Sequence, residues 1–198
     1  MHIVPRPQHE QYADERIHLD ALDGIATDDS EPATASVDRV QTVIDREIDH
    51  TLPAVDSAGA TGPTISLRTV DTIEPPAGRT IDHEDEAYRL SVTGDGIELV
   101  ATTAAGFHYG AQTLAGLIKG TDSGEAYTVP ACEVVDWPAF EWRGVMVDPA
   151  RKFIPLSDLY GLVVIDGARE AERPPSAPHR QRGLRDGIDG LSRVEPVP

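Results

Sequence analysis

Lysine is almost missing from this sequence: Lys119 and Lys152 are the only two, beside fifteen arginines and against 34 aspartates and glutamates. The formal net charge of −17 gives a surface that repels polyanions, which excludes nucleic acid and anionic membranes as partners. An acidic, lysine-poor surface suits a halophilic protein, because dissolved salt screens the self-repulsion. The other reading is an ordinary acidic cytosolic protein. Cysteine is nearly absent as well. Cys132 stands alone, so neither an internal disulfide nor a cysteine-built metal cluster can form.

The seven histidines are scattered. His9-Glu10 and His83-Glu84 begin like a His-Glu-x-x-His zinc site, but Ala13 and Ala87 occupy the place of the second histidine. No metal and no other cofactor is expected. No apolar run approaches the roughly 18 residues that span a bilayer. Met1–Pro7 has no apolar core and no small-residue cleavage site, so the sequence reads as soluble and cytoplasmic.

What the sequence does contain is pattern. Ile3–Pro7 is an extended lead-in fixed by two prolines. Ile17–Leu22 alternates as a short strand, and Val37, Val40, Ile44 and Ile48 set one apolar stripe on a helix over 34–49, with Thr34 or Ser36 as its cap. Ile65–Arg68 alternates again. Asp82–Glu86 reads as a solvated acidic connection. The strongest signal is a hairpin over 87–101, where Tyr88, Leu90 and Val92 alternate up to Gly94-Asp95-Gly96, and Ile97, Leu99 and Ala101 alternate back. A helix over 104–118 follows, and Gly106, Gly110 and Gly116 inside it suggest close packing on a sheet. Tyr127–Pro130 and Cys132–Asp136 read as two short extended pieces. Glu141–Asp148 reads as a strand buried on both faces, and Pro155–Arg169 as the helix after it, the first βα unit of a parallel fold.

Both tryptophans fall within Asp136–Phe153, beside Arg143. Beyond that stretch the composition changes. Residues 169–198 hold six arginines and five acids, a net of +1, which leaves −18 on residues 1–168. This change and the loss of periodicity after Ala171 are what translation in a shifted reading frame would produce.

Four motifs carry a family resemblance: Ile3–Pro7, Glu86–Val92, Gly106–Leu114 and Asp136–Gly144. In this order and spacing the chain resembles glycoside hydrolase family 20, the β-N-acetylhexosaminidases, over about residues 1–168. The resemblance implies a fold class of α+β over 1–135, an antiparallel sheet with helices on one face that takes no part in catalysis. It implies next, over 136–169, an incomplete first βα unit of a (β/α)8 barrel; residues 170–198 are expected to be an aberrant or disordered tail. It also implies that Arg143 binds sugar hydroxyls in intact relatives, whose partners are N-acetyl-hexosamine glycans. A guanidinium suits that task because it presents a rigid fork of donors. The alternative is that Arg143 pairs with a buried carboxylate such as Asp148. Asp148, Arg151 and Lys152 match a stretch of strand-end and loop stabilisers, and Trp137 and Trp142 suit packing at the domain junction.

The family's chemistry resembles retaining hydrolysis with the substrate's own acetamido oxygen as nucleophile, assisted by a neighbouring Asp-Glu pair on a later barrel strand. That pair lies beyond residue 198, and residues 154–198 offer only Tyr160 toward an aromatic pocket. The expectation is a truncated, inactive relative with no catalytic residue of its own. A binding or scaffold module, or one half of a split enzyme, remain the alternatives.

Overall fold

The computed structural model describes residues 3, 5–48, 51–56, 60–120, 127–144, 146–148, 154–156 and 158–159. Its strands are β1 (His9–His18), β2 (Ile25–Thr27), β3 (Ile65–Thr69), β4 (Tyr88–Thr93), β5 (Gly96–Ala101), β6 (Lys119–Gly120) and β7 (Tyr127–Asp136), and its helices are α1 (Glu31–Thr34), α2 (Val37–Ile44) and α3 (Ala104–Leu117). The strands form one seven-stranded sheet in the order β1-β7-β4-β5-β3-β2, with β6 paired to β7 outside that path.

The sheet is mixed, which corrects the antiparallel expectation. β1, β7, β4 and β5 run antiparallel to their neighbours, whereas β5, β3 and β2 are parallel. The parallel half follows from the connections. A chain that leaves β2, builds α1 and α2, and returns as β3 must re-enter the sheet in the same direction. β4 then hairpins onto the other edge of β5 through Gly94-Asp95. Gly96 closes that turn at φ 135°, where an added Cβ would lie 2.8 Å from the Thr64 carbonyl oxygen.

The expected alternation of the hairpin is present: Tyr88, Leu90, Val92, Ile97 and Leu99 are each 2% exposed or less. These side chains meet α2 and α3 in one core with Val40, Ile44, Phe107, Leu114 and Leu117. Burying each such side chain contributes about 1.5–3 kcal/mol. α3 lies close to the sheet because two of its glycines permit it. A Cβ on Gly106 would sit 2.3 Å from the Ala87 carbonyl oxygen, and one on Gly110 would sit 2.2 Å from Leu99 Cδ1. Gly116 meets nothing within 4 Å, so packing does not explain it. The opposite face carries a smaller cluster of Ile73, Ala87, Val100, Val135 and Trp137.

Several elements differ from the sequence reading. The strand expected over Ile17–Leu22 starts earlier, at His9, and residues 19–21 form a 3-10 turn. β1 is an edge strand, exposed along 11–16, so it needs no alternation, and its charged side chains protect an open edge. The single helix over 34–49 is two helices. Ser36 does not cap α2 through its side chain; its Oγ donates instead to the Pro32 carbonyl at 2.6 Å. The two extended pieces around Pro130 are one continuous strand. Pro130 lies beside the register irregularity between Tyr12 and Arg16, and outside the 132–136 segment that pairs with β4, where its missing N–H is tolerated.

Residues 141–144 and 146–148 form no strand, and Met146 is 93% exposed, against the expectation of a doubly buried strand. A strand needs a neighbour to pair with, and none of the strands of the sheet pairs with these residues. Of the helix expected over 155–169, Leu156, Asp158 and Leu159 are helical, and residues 160–169 lie outside the described residues, as does the tail at 170–198. No helix among the described residues is long and apolar enough to cross a membrane.

Candidate functional site

The elements converge where β4 begins and β7 ends. Register pairs Tyr88 with Asp136, which brings the last residue of β7 beside the first of β4. The segment leaving β7 then turns across this corner. Between it and the lead-in lies a cavity of about 230 Å³, lined by Glu86, Tyr88, Tyr109, Asp136, Trp137 and Arg143 among others.

Arg143 is the centre of the corner. Its Nη1 donates to the Phe140 carbonyl at 2.8 Å, and its Nη2 donates to Tyr109 Oη at 3.1 Å and to the Glu86 carboxylate. The Tyr109 ring also lies 5.6 Å from the guanidinium carbon, within cation–π range. Burial works against the charge of Arg143, but its bond and charge interaction with Glu86 and Tyr109 hold the guanidinium above its ordinary pKa. Of the two roles open to Arg143 in the sequence, the structure displays carboxylate pairing, and the carboxylate is Glu86. Asp148 is exposed. Arg151 and Lys152 lie outside the described residues.

Glu86 was legible only as one of a run of acids. It is 2% exposed, not solvated. The 3-10 turn Glu84–Glu86 carries it inward, and the spacing 86-88-90-92 places it in phase with the buried face of β4, a signal that the acidic neighbours obscured. A carboxylate this deep needs a cation or several donors, because an isolated buried charge is very costly. Arg143 supplies the cation.

Asp136 is the second buried acid. Its Oδ1 accepts from the Gln8 backbone N–H at 2.8 Å, tying the lead-in to the sheet, and its Oδ2 accepts from Tyr88 Oη at 3.4 Å. Tyr88 Oη in turn shares a short hydrogen bond with Thr113 Oγ1 on α3. Burial raises the Asp136 carboxyl to about 6, against the opposing pull of the Gln8 and Trp137 N–H groups and the Tyr88 hydroxyl. Trp137 is buried, 6% exposed, in the smaller cluster with Val100 and Val135. Trp142 is 70% exposed.

This corner gathers two buried carboxylates, a guanidinium and two tyrosines around the cavity. Among the described residues no group of three or more histidine, cysteine or acidic side chains is placed to hold a metal ion.

Comparison with known proteins agrees with the architecture. The chain is 32% identical over 155 residues to the N,N'-diacetylchitobiase of Vibrio harveyi, covering 76% of this chain and 15% of that protein. It is 43% identical over 76 residues to a beta-hexosaminidase of Akkermansia muciniphila, covering 38% of this chain and 15% of the relative. The chain thus spans about a seventh of the length of these curated relatives. The fold matches the crystal structure of a GH20 exo beta-N-acetylglucosaminidase from Vibrio harveyi in complex with N-acetylglucosamine, with a TM-score of 0.67 at 23% identity over 84% of this chain and 24% of that one. Residues 1–137, which include every strand of the sheet, match the family described as glycosyl hydrolase family 20, domain 2, and the chain belongs to that family.

Proposed function

We propose that this chain carries the non-catalytic domain of a β-N-acetylhexosaminidase, over 1–135, followed at 136–169 by the opening of its (β/α)8 barrel. In that reading Arg143 is the residue that would meet sugar hydroxyls, and the chain by itself does not release terminal N-acetylhexosamine from β-glycosides. The observation that carries the reading is the match over residues 1–137, followed after residues 138–141 by Trp142-Arg143-Gly144. Hydrolysis needs a carboxylic acid placed to protonate the leaving oxygen and a carboxylate to orient the acetamido group. Two Asp-Glu pairs occur in the described residues, and neither is so placed. Asp14-Glu15 is exposed on the edge strand, and in Asp85-Glu86 the glutamate is tied to Arg143.

The test is hydrolysis of an aryl N-acetyl-β-glucosaminide by the purified 198-residue chain. No release above a heat-denatured control is expected; steady turnover that copurifies with the chain would overturn the inactive reading. One observation favours a second reading, a module that docks to a partner supplying the rest of a barrel: Phe140, Trp142 and Met146 are 72%, 70% and 93% exposed on one short segment. Recovery of no partner in pull-downs from the native lysate would count against it. We also read the lysine-poor acidic surface as an adaptation to high salt, and added KCl is expected to raise the unfolding temperature.

A further inference from the structure

We propose that Glu86 is the positioning residue for Arg143, so that the non-catalytic domain sets the direction of the guanidinium offered to a sugar. The inference rests on the reading of Arg143 as a sugar contact and adds what aims it. Three oxygens hold the fork. One, the Phe140 carbonyl, belongs to the same segment as Arg143 and moves with it. The other two, Glu86 and Tyr109 Oη, belong to the sheet domain and both take Nη2.

These two acceptors are fixed to one another. Thr102 Oγ1 donates to the Glu84 carbonyl at 2.8 Å, and Thr103 Oγ1 donates to the Asp85 carbonyl, so the 3-10 turn bearing Glu86 is fastened to the two residues just before α3. Thr103 also caps α3 by accepting from the Ala105 N–H at 3.1 Å, and Tyr109 lies on that helix. Turn and helix therefore behave as one cradle. Both cradle acceptors take Nη2, so the turn and the helix together set the plane in which the guanidinium lies. The carboxylate matters more than the phenol because a charge-assisted bond is about twice as strong as a neutral one. A sugar hydroxyl, being neutral, does not displace it.

The experiment is NMR of the full 15N-labelled chain, with the Arg143 side-chain signals assigned by their loss in Arg143→Lys. A clamped guanidinium rotates slowly about its C–N bonds, so separate Nη proton signals are expected in the parent. Glu86→Ala is expected to lose them by averaging and Glu86→Gln to broaden them, with the backbone amide spectrum retained. Where Glu86→Ala does not fold, the isosteric Glu86→Gln carries the test. Arg143 signals in Glu86→Gln as sharp and separate as in the parent would overturn the inference. A parallel titration with N-acetylglucosamine tests the underlying reading: shifts at the Arg143 side-chain signals are expected, and a sugar that leaves them unmoved would overturn Arg143 as a sugar contact while leaving the Glu86 result intact.

Discussion

Tyr88 and Asp136, 48 residues apart, close the corner of the sheet: the phenol of the first strand of the hairpin donates to the carboxylate that ends β7, and both are buried. The pairing has a pH consequence. Asp136 has its carboxyl raised by burial from 3.8 to about 6, so the folded state holds this proton more tightly than the unfolded chain. Its contribution is fully present below about pH 3.8 and is lost as pH rises to about 6, a difference of about 3 kcal/mol at one pKa unit per 1.36 kcal/mol. Asp136→Asn keeps the shape and an acceptor for Gln8. It is expected to raise the urea midpoint at pH 7, equivalent to about 1–3 kcal/mol, and to leave it nearly unchanged at pH 4. An equal loss at both pH values would contradict this account.

His108 works in the opposite sense. Burial, and then the charges of Arg39 and Arg46, lower its pKa from 6.5 to about 4, and its Nδ1 is buried without a hydrogen-bond partner. The neutral ring favours folding above pH 6.5, and that advantage disappears as pH falls through 4. His108→Gln is expected to flatten the acid side of the stability profile between those values. A profile that keeps the parent's slope would show that His108 does not set it.

The glycines of α3 are expected to separate cleanly. Gly106→Ala drives a methyl against the Ala87 backbone carbonyl, which cannot yield, and is expected to cost about 2–3 kcal/mol. Gly110→Ala meets the end of the Leu99 side chain, which can shift, and is expected to cost less. Gly116→Ala has open space and a helical backbone, so a gain of about 0.5–1 kcal/mol is expected. Thermal melts of the three variants check the order.

The hairpin, the stripe of α2 and the packing use of Gly106 and Gly110 were legible because one face of each element is buried, and burial of one face writes a period into the sequence. β1 was not, because an edge strand exposed along most of its length has no face to mark. β7 was split at Pro130 for a related reason. It is buried on both faces, so the eye finds no alternation and settles on the proline. Arg143 stood out in the sequence through its Trp-Arg-Gly setting, but the carboxylate it pairs with did not. Glu86 follows Glu84 and Asp85, and only its phase with Tyr88 distinguishes it from them.

Cys132 offers a direct view of the core. Its thiol is 7% exposed, and burial pushes it up to about 11, so little reactive thiolate exists at neutral pH. With one thiol in the chain, a disulfide-exchange reagent is expected to react at the rate at which the sheet opens, and to speed up together with the urea transition. Rapid labelling in the native state would place Cys132 outside the packed sheet.

A double-mutant cycle on Glu86 and Arg143 tests most directly whether the domain and the segment that follows it are joined through this ion pair. Arg143→Ala strands a carboxylate that is 2% exposed, and is expected to cost about 3–5 kcal/mol in urea unfolding. Glu86→Ala is expected to cost less, because Arg143 keeps 15% of its side chain in water and can turn outward. The double variant is expected to be more stable than the sum of the two losses allows, by about 1–3 kcal/mol of coupling. Small, additive losses would contradict the account, and would mean that Arg143 is not held by the domain that precedes it.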